Sequence, residues 1–416
     1  MTLFFMYTYN LCELMMKKLL FVFLLFINSV FPQSKPYVVL VSIDAFRWDF
    51  MSRGITPALS EIKENGVSAL SLMPAYPSKT FPNHVSIITG MYPENHGIVS
   101  NDVNNFFTGE KYRMGDTNAV RDSRWYQGEF FWETARRNGI ITASYFWPGS
   151  ELLLEYRRPN YFKQYKKETT DNQKLEQFSG WLALPYEKRP RFITLYFEQV
   201  DTKAHDSGPD SPETNETIKQ VDGVIKNIRE RIQNAGLKDS VNLIVLSDHG
   251  MTYVSREKSV NIEKLINDTS CRMYGAGPIS MIKAPKEKVE KVYQNLKKNE
   301  NHFKVYLKNE MPEHFHFSKH PFIGDIIVIA DLGWAVIDNR GEERKGYGNK
   351  KGDHGYDNFQ LDMHGFFVAE GPAFKKNYKT GTLLNIDIYP LLCRIFGIEP
   401  RSNIDGNADR IDFLLK

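Results

Sequence analysis

The sequence predicts an α/β fold with a doubly wound, mostly parallel sheet and a small α+β insertion. Three continuous apolar runs have the β-branched composition of buried central strands, at 37–43, 192–197 and 241–246. Segments with helical periodicity lie between or before them, at 57–65, 128–138 and 215–234. Strands that alternate with helices are typical of parallel strand–helix–strand units, so we expect helices on both faces of the sheet.

An acidic residue follows each of the three predicted strands: Asp44, Asp201 and Asp248. Open α/β sheets bind ligands at the carboxyl ends of their strands, because loops leave the strands there and helix N-termini face them. We therefore expect the three carboxylates to meet at one edge of the sheet.

The character of the sequence changes between Ser255 and about Gly346. Strands are predicted at 279–283, 303–307 and 326–330, and a charged amphipathic helix at 286–298. The Gly- and Lys-rich segment 341–352 is expected to be a mobile loop. The predicted organisation is an N-terminal extension with a signal peptide at 1–34, a catalytic α/β domain at 35–254 and 347–416, and an inserted α+β subdomain at 255–346.

The N-terminus has the pattern of a secretory signal. Lys17 and Lys18 precede the apolar run 19–27, and polar residues resume by Gln33. The run is too short for a stable membrane span, so we predict export to a periplasm or to the outside of the cell. An uncleaved N-terminal anchor is the alternative.

Composition limits the remaining function classes. The chain has 416 residues, 42% of them apolar, and a formal net charge of +3, which indicates a globular core and gives no sign of a basic stripe for sequence-specific nucleic-acid binding. The oligomeric state is left open. Cys271 and Cys393 lie outside any CxxC pattern and are interpreted as structural, with a single disulfide as the less favoured reading.

Six residues have the chemistry of metal ligands. Asp201 and His205 are four apart, so one helical turn can direct both at one ion. Asp248 and His249 are adjacent at a strand end, and Asp44 and His354 complete the set. Mixed Asp and His ligands with an open position are typical of catalytic sites, and this set suits Zn while leaving Mn and Fe open.

Thr80 is the candidate nucleophile. Pro82 indicates that a helix begins near Thr80, so its hydroxyl would lie at the positive end of the helix dipole. A threonine hydroxyl is a poor nucleophile at neutral pH, and a nearby cation corrects this. Two ions roughly 3.5–4 Å apart can also hold the oxygens of an in-line displacement at phosphorus. These residues together indicate a two-metal phosphoester hydrolase.

Five segments then resemble one known family, in order from about Tyr37 to the C-terminus. They are Ser-Ile-Asp-Ala-Phe-Arg at 42–47, Lys-Thr-Phe-Pro-Asn-His at 79–84, Thr-Gly-Met-Tyr-Pro-Glu-Asn-His-Gly-Ile at 89–98, Ser-Asp-His-Gly-Met at 247–251 and Gly-Asp-His-Gly-Tyr-Asp-Asn at 352–358. The family is that of the ectonucleotide pyrophosphatases/phosphodiesterases, within the alkaline phosphatase superfamily. The resemblance implies an alkaline-phosphatase-like sheet in a member with a single catalytic domain.

The resemblance also implies the arrangement of the site. Two zinc ions per subunit would lie beside Thr80, which would be both the nucleophile and a metal contact. One ion would be held by Asp201, His205 and His354, and the other by Asp44, Asp248 and His249.

A substrate slot follows from the same resemblance. Asn101 would bind a phosphate oxygen, while Phe81 and Tyr165 would sandwich a base. The same region would be lined by Lys79 and Trp147, with Tyr196 nearby. The implied activity is hydrolysis of nucleotide phosphodiester or pyrophosphate bonds, which releases a nucleoside 5′-monophosphate through a covalent threonine intermediate.

Two alternatives to this function stay open. The same metal chemistry could act on choline-type lipid head-group diesters or on phosphomonoesters, for which Arg47 is the candidate extra cation. A catalytically silent binder would lack a ligand or the nucleophile, and none is missing.

Several side chains also have plainer readings. The aromatic side chains of the predicted slot, Phe81, Tyr165 and Trp147, could instead pack in the core or at its rim. We interpret His364 as structural or supporting and the histidines His314, His316 and His320 as a solvated strand face. Asn215 and Asn267 fit the N-glycosylation pattern, which matters in a eukaryotic host.

Overall fold

An eight-stranded sheet runs through the computed structural model, which describes residues 36–343 and 348–416. In spatial order its strands are Tyr378–Thr380, Val67–Ala69, Phe367–Glu370, Val241–Leu246, Tyr37–Ile43, Phe192–Phe197, Thr142–Tyr145 and Tyr161–Lys163. The signal peptide prediction falls on residues outside the described part of the chain.

The centre of the sheet is parallel, as the sequence predicts. Val41 of the first strand pairs with Leu195 on one side and Val245 on the other. Only Phe367–Glu370 runs against its neighbours in this sheet, since it is antiparallel to both of them. The fold is therefore a doubly wound, mostly parallel α/β sheet, as predicted.

Helices cover both faces because alternate strand residues point in opposite directions. Val39 and Val41 belong to one buried apolar cluster, with helices Pro57–Asn65, Asp171–Leu182 and Pro212–Asn234. Val38 and Leu40 belong to another, with helices Thr80–Thr89, Phe131–Arg137 and Ile388–Phe396. Burial on both faces explains why the central strands are continuously apolar rather than alternating.

Shorter elements connect these layers. The other α-helices of the described residues are Pro93–His96, Thr117–Arg121, Gln199–Ser207, Ile262–Ile266, Val289–Lys298 and Asn339–Glu343. Two-stranded pairs form between Leu72–Met73 and Leu383–Leu384, between Asp102–Asn104 and Lys111–Arg113, and between Ser259–Asn261 and Ala335–Ile337. The 3₁₀ turns are Phe50–Arg53, Ser123–Trp125, Glu155–Arg157, Lys286–Lys288, Lys308–Glu310, Glu313–Phe315, Leu361–Met363, Asn385–Asp387, Ala408–Arg410 and Asp412–Leu414.

The segment predicted as an insertion has an antiparallel sheet of its own. Its strands, in spatial order, are Arg272–Tyr274, Ile279–Lys283, Ile326–Ala330 and Phe303–Leu307. Val292 and Leu296 of helix Val289–Lys298 pack into the same apolar cluster as this sheet. The ribbon formed by Thr252–Tyr253 and Gly352–Asp353 joins the two ends of the segment. Its assignment as a separate subdomain remains a prediction.

Three helices begin at different residues than predicted. The charged helix predicted from 286 begins at Val289, after the 3₁₀ turn Lys286–Lys288. The helix predicted from 215 begins at Pro212, because the Ser211 side chain accepts a hydrogen bond from the Thr214 amide and proline suits the first helical position. The helix predicted from 128 begins at Phe131. Gly128 has a left-handed φ of 80°, which is incompatible with the helix, and the Glu133 carboxylate accepts the Phe130 amide instead.

Three other expectations can be compared with the structure. The first three residues of the segment predicted as a loop, 341–352, belong to helix Asn339–Glu343. The predicted solvated strand face at 314–320 is wrong, because this stretch forms a 3₁₀ turn and loop in which His320 is only 4% exposed. Both cysteines, Cys271 and Cys393, are free thiols, which agrees with a structural role.

Within residues 36–343 and 348–416, no helix combines the length and apolar character that a membrane crossing requires.

Candidate active site

The predicted metal ligands meet at the carboxyl edge of the sheet. Asp44 follows strand Tyr37–Ile43 directly, and the pair Asp248 and His249 follows Val241–Leu246. Asp201 and His205 lie one turn apart on helix Gln199–Ser207, which begins just after the third strand. His354 comes directly after strand Gly352–Asp353. Five of the six residues reach one region because parallel strands deliver their C-terminal loops to the same edge. His354 arrives there on the antiparallel ribbon that Gly352–Asp353 forms with Thr252–Tyr253.

Thr80 lies beside these ligands at the start of a helix. It is the first residue of helix Thr80–Thr89, as predicted, and Lys79 precedes it in an extended conformation. The Thr80 hydroxyl oxygen is 3.3 Å from Nε2 of His249. A hydroxyl in this position is exposed to the partial positive charge of the helix N-terminus.

The ligand atoms are close enough to share ions. Oδ1 of Asp201 is 3.3 Å from Nε2 of His205 and 3.5 Å from Nε2 of His354. Nε2 of His249 is 3.4 Å from Oδ1 of Asp44 and 3.1 Å from Oδ2 of Asp248. Two groups have donor atoms that all lie within 4.8 Å of one another: Asp201 with His205 and His354, and Asp44 with Asp201 and His249.

Backbone carbonyls fix the orientation of all three histidines. Nδ1 of His205 is 2.7 Å from the Gly352 oxygen, Nδ1 of His249 is 2.9 Å from the Gly250 oxygen, and Nδ1 of His354 is 2.8 Å from the Ser78 oxygen. A carbonyl oxygen only accepts hydrogen bonds, so each Nδ1 carries the proton and each Nε2 presents its lone pair to the cluster. Histidine ligands of metals are oriented in this way.

The carboxylates fit a cation. Three of their oxygens are buried without a hydrogen-bond donor: Oδ1 of Asp44, Oδ1 of Asp201 and Oδ2 of Asp248. Burial, followed by the charges of Asp248 and Asp201, raises the pKa of Asp44 well above its usual value. Buried acceptors that lack donors and repel one another are costly, and a bound metal ion would remove both costs.

The pKa values of two neighbouring groups suit metal binding. Burial, followed by the neighbouring His249 and His205, lowers the pKa of His354 well below its usual value. Burial opposes ionisation of Asp248, but His249 and His84 outweigh it and lower its pKa to about 2. The cluster therefore offers a neutral imidazole and an ionised carboxylate, the forms in which both side chains bind metals.

Asn101 is held against the start of helix Thr80–Thr89. Its Oδ1 accepts a hydrogen bond of 3.0 Å from the Phe81 amide, one residue after Thr80. The Nδ2 group of the same side chain thus remains a donor for a bound oxygen near Thr80.

The other predicted substrate contacts differ in exposure. Tyr165 is 44% exposed and packs on Phe146, whereas Phe81 is 8% exposed and packs on Tyr112. Trp147 is completely buried, and its indole nitrogen donates to the His84 carbonyl oxygen over 2.9 Å. In this structure Trp147 therefore supports the helix from inside, away from solvent.

Tyr196 and Lys79 lie next to the candidate ligands. The Tyr196 hydroxyl donates to Oδ2 of Asp44 over 2.5 Å, so its described contact is to a ligand. Lys79 passes beside Gly355, where an added Cβ would lie 3.0 Å from the lysine Cε. Burial lowers the pKa of the Lys79 ammonium group. Gly355 makes this approach possible, and its φ of 116° also favours glycine.

Arg47 and His364 have structural contacts. Arg47 pairs with Asp49 over 2.6 Å and with Asp210 over 2.8 Å, and donates to the Met251 oxygen over 3.1 Å, so it holds ligand-bearing loops together. His364 contacts Ser71 and the Asn358 oxygen, which agrees with the predicted structural role.

The sequence did not lead us to expect one further residue in this region. His84 closes the segment that begins at Lys79, yet it was not predicted to contribute to the site. Its ring lies 3.3 Å from Asp248 and 2.9 Å from the Thr80 carbonyl oxygen. Its place in the motif, one helical turn after Thr80, was the available signal.

A nucleophile candidate at a helix start, facing a cluster of aspartates and histidines at the edge of an α/β sheet, defines a hydrolase of the metal-dependent phosphoester class. Comparison with known proteins agrees. The family described as type I phosphodiesterase / nucleotide pyrophosphatase matches residues 38–357. The chain belongs to this family.

Several relatives give the scale of the similarity. The human bis(5′-adenosyl)-triphosphatase ENPP4 is 34% identical over 372 residues, which is 88% of this chain and 80% of the relative. The bovine ectonucleotide pyrophosphatase/phosphodiesterase family member 3 is 33% identical over 92% of this chain, but this match spans only 44% of the longer relative.

Solved structures show the same fold. Human ectonucleotide pyrophosphatase/phosphodiesterase 5 matches with a TM-score of 0.86 and 30% identity, over 91% of this chain and all of the other. An inactive murine form of the same enzyme, in which alanine replaces a threonine, was solved with AMP and matches with a TM-score of 0.85 and 29% identity, over 92% of this chain and all of the other.

Proposed function

We propose that this chain is a zinc-dependent nucleotide pyrophosphatase/phosphodiesterase that releases a nucleoside 5′-monophosphate through a covalent threonine intermediate. The observation that carries the proposal is the position of the Thr80 hydroxyl, 3.3 Å from Nε2 of His249 and at a helix N-terminus. The related murine enzyme, which holds AMP and is inactive when alanine replaces a threonine, supports both the substrate class and the nucleophile.

Two zinc ions per subunit are proposed on the ligand set described above. Asp201, His205 and His354 would hold one, while Asp44, Asp248 and His249 would hold the other, with Asp201 near enough to contribute to both. When bound, such ions supply positive charge that lowers the pKa of a coordinated hydroxyl and stabilises the charge of a transferring phosphoryl group.

The chain's own residues account for the covalent step. The Thr80 oxygen attacks phosphorus and a new O–P bond forms. The bond to the leaving alcohol or phosphate breaks, its electron pair stays on the leaving oxygen, and that oxygen takes up the proton that Thr80 loses. A water molecule then attacks the same phosphorus, breaks the threonine O–P bond and returns a proton to Thr80. The helix start and the Asn101 amide face the phosphate oxygens and stabilise their charge.

Recognition of the nucleotide is proposed for the side chains around Thr80. The exposed ring of Tyr165 offers a stacking surface that accepts any base, and Phe81 lies on the helix that carries the nucleophile. The Lys79 ammonium group would bind phosphate oxygens beyond the scissile bond. Trp147 and Tyr196 would support the slot through the His84 and Asp44 contacts given above.

The test is hydrolysis of a chromogenic thymidine 5′-monophosphate diester by the purified full chain. We expect activity that chelator abolishes and added zinc restores, and a fall of at least about 10³-fold in the Thr80→Ala variant, since removing a nucleophile leaves only the stabilising contacts. The Thr80→Ser variant is the matched control and should keep measurable activity. Full turnover by Thr80→Ala would contradict the proposal.

A substrate panel separates the alternatives. Glycerophosphocholine and an aryl phosphomonoester are measured beside the nucleotide diester, and a higher kcat/KM on either one would favour the corresponding alternative. Arg47, the candidate extra cation for monoesters, is already engaged by Asp49 and Asp210, which favours the diester. We further propose that the enzyme is exported and that residues 255–346 form its inserted subdomain.

A further inference from the structure

His84 lies where three parts of the site meet. Its side chain is completely buried, one turn after Thr80 on the same helix. Nε2 is 2.9 Å from the hydroxyl of Ser42, on strand Tyr37–Ile43, which Asp44 follows directly. Nδ1 is 2.9 Å from the Thr80 carbonyl oxygen and 3.3 Å from Oδ2 of Asp248.

The protonation of the ring follows from these partners. The Thr80 carbonyl only accepts hydrogen bonds, so Nδ1 carries the proton. Nε2 is then an acceptor for the Ser42 hydroxyl. The Nδ1–H group points at the Thr80 oxygen, and Asp248 lies at ion-pair distance from the same nitrogen without an aligned hydrogen bond.

Aromatic neighbours hold the ring in place. The His84 ring packs edge to face on Trp147 and on Tyr196, with centroids 4.8 Å and 5.2 Å away. The Trp147 indole also donates to the His84 carbonyl oxygen. Two rings and hydrogen bonds at both nitrogens confine this side chain. It therefore fixes the positions of the groups that it contacts.

We propose that His84 is a positioning residue that sets the distance between the Thr80 nucleophile and the carboxylate of Asp248. The Nδ1 atom contacts both the Thr80 carbonyl oxygen, in the first turn of the nucleophile's helix, and the Asp248 carboxylate. The Nε2 atom, on the other side of the ring, is held by the Ser42 hydroxyl on a strand of the sheet. This proposal rests on the proposed function, because it concerns the same nucleophile and the same metal ligands.

Two substitutions separate the two edges of the ring. Asparagine places its Nδ2 amide near the position of Nδ1, whereas the glutamine amide reaches toward Nε2. We expect His84→Asn to keep kcat on the chromogenic nucleotide diester within about threefold. His84→Gln should lower kcat, with little change in KM, by about 10- to 100-fold, as is typical of residues that orient metal ligands.

Zinc affinity gives a readout that does not depend on turnover. Competition between each full-length variant and a chromophoric chelator for zinc should show weaker binding by His84→Gln and near-normal binding by His84→Asn. His96→Gln is the matched control, because His96 is equally buried and contacts the same helix at Pro82 and Ser86, away from Asp248. It should keep both zinc affinity and kcat.

The outcomes are distinguishable. Equal kcat and zinc affinity in wild type, His84→Asn and His84→Gln would overturn the positioning role, and so would equal losses in both variants and in the His96→Gln control. If His84→Gln does not fold, as judged by circular dichroism, normal kcat and zinc binding in His84→Asn support the role of Nδ1, and their loss in a folded His84→Asn overturns it. A wild type without chelator-sensitive diesterase activity would instead contradict the proposed function.

Discussion

Single residues in this site are anchored at one end and leave the other end for chemistry. Asn101 uses its Oδ1 to accept the Phe81 amide, and His205, His249 and His354 each use Nδ1 to donate to a backbone carbonyl. A polar side chain that is fixed at one atom presents its second atom at a defined place. Little conformational entropy is therefore lost when a ligand binds. The charge of each second atom then decides what it can bind.

The role of the Asn101 donor can be tested by replacing its Nδ2 group with an oxygen. In Asn101→Asp the acceptor for the Phe81 amide remains, but the donor is lost and a negative charge faces the substrate phosphate. We expect kcat/KM on the nucleotide diester to fall by about 10²-fold or more, the usual cost of removing one donor to a developing oxyanion. Asn101→Ala should fall less, because it adds no charge.

The control for added charge is Asn118→Asp, on an exposed helix, which should change kcat/KM by less than about twofold. An Asn101→Asp variant as active as Asn101→Ala would show that no phosphate oxygen lies near this side chain.

At the scale of elements, a buried histidine joins helix Thr80–Thr89 to the next helix. His96, at the end of helix Pro93–His96, has Nε2 3.2 Å from the Pro82 oxygen and 3.1 Å from the Ser86 hydroxyl. Its Nδ1 accepts the Ile98 amide over 3.2 Å. Both ring nitrogens are used, so a second proton would face an N–H group.

This joint predicts a dependence of stability on pH. Burial, and then the neighbouring His320, lowers the pKa of His96 to about 3, whereas in the unfolded chain it is about 6.5. Between these values the unfolded state binds a proton that the folded state excludes, so the contribution is complete above about pH 6.5 and is lost as the pH falls toward 3. The slope is at most about 1.4 kcal/mol per pH unit.

Urea unfolding of wild type and His96→Gln at pH 7 and pH 5 measures this slope. Glutamine keeps one donor and one acceptor, so we expect a smaller loss of unfolding free energy between the two pH values than in wild type. A residual slope should remain, since burial also lowers the pKa of His320 to about 4. Equal slopes in the two proteins would rule out His96 as the source.

For the molecule as a whole, the sequence predicts those elements whose own residues have a clear pattern of apolar positions. The three central strands have the predicted bounds because burial on both faces requires uninterrupted apolar residues. Short strands such as Tyr161–Lys163 and Phe367–Glu370 give no comparable pattern, since their pairing depends on neighbours that are distant in the sequence. The order of strands in the sheet was likewise not predicted.

The site divides in the same way. Residue type and position in the sequence were enough to predict that the six candidate ligands and Thr80 lie together, because the acidic groups follow predicted parallel strands whose carboxyl ends share one edge of the sheet. The exposure of the aromatic side chains depends on packing, so Trp147 and Tyr165 looked alike in the sequence although one is buried and the other 44% exposed. For His84 the sequence offers one signal, its place one helical turn after Thr80, while the contacts that define its role form only in the folded chain.

The convergence of carboxylates leads to a prediction about the stability of the whole fold. Without a metal ion, buried Asp44 faces Asp248 and Asp201, and its pKa is raised above the unfolded value. A carboxyl group with a raised pKa destabilises the folded state once the pH exceeds the unfolded value of about 3.9, and the cost persists at neutral pH. In chelator at pH 7, Asp44→Asn should therefore be more stable than wild type, by about 1 kcal/mol or more.

Zinc should reverse this order. A ligand at 100 times its dissociation constant stabilises the folded state by about 2.7 kcal/mol, and wild type should gain this while Asp44→Asn gains less, having lost an anionic ligand. Thermal unfolding in chelator and in zinc measures both effects. The control is Asp49→Asn, which breaks the ion pair with Arg47 and should lower stability under both conditions. If Asp44→Asn were less stable than wild type in chelator, the carboxylates would not repel one another as their positions indicate, and the argument for a cation site at this edge of the sheet would lose its physical basis.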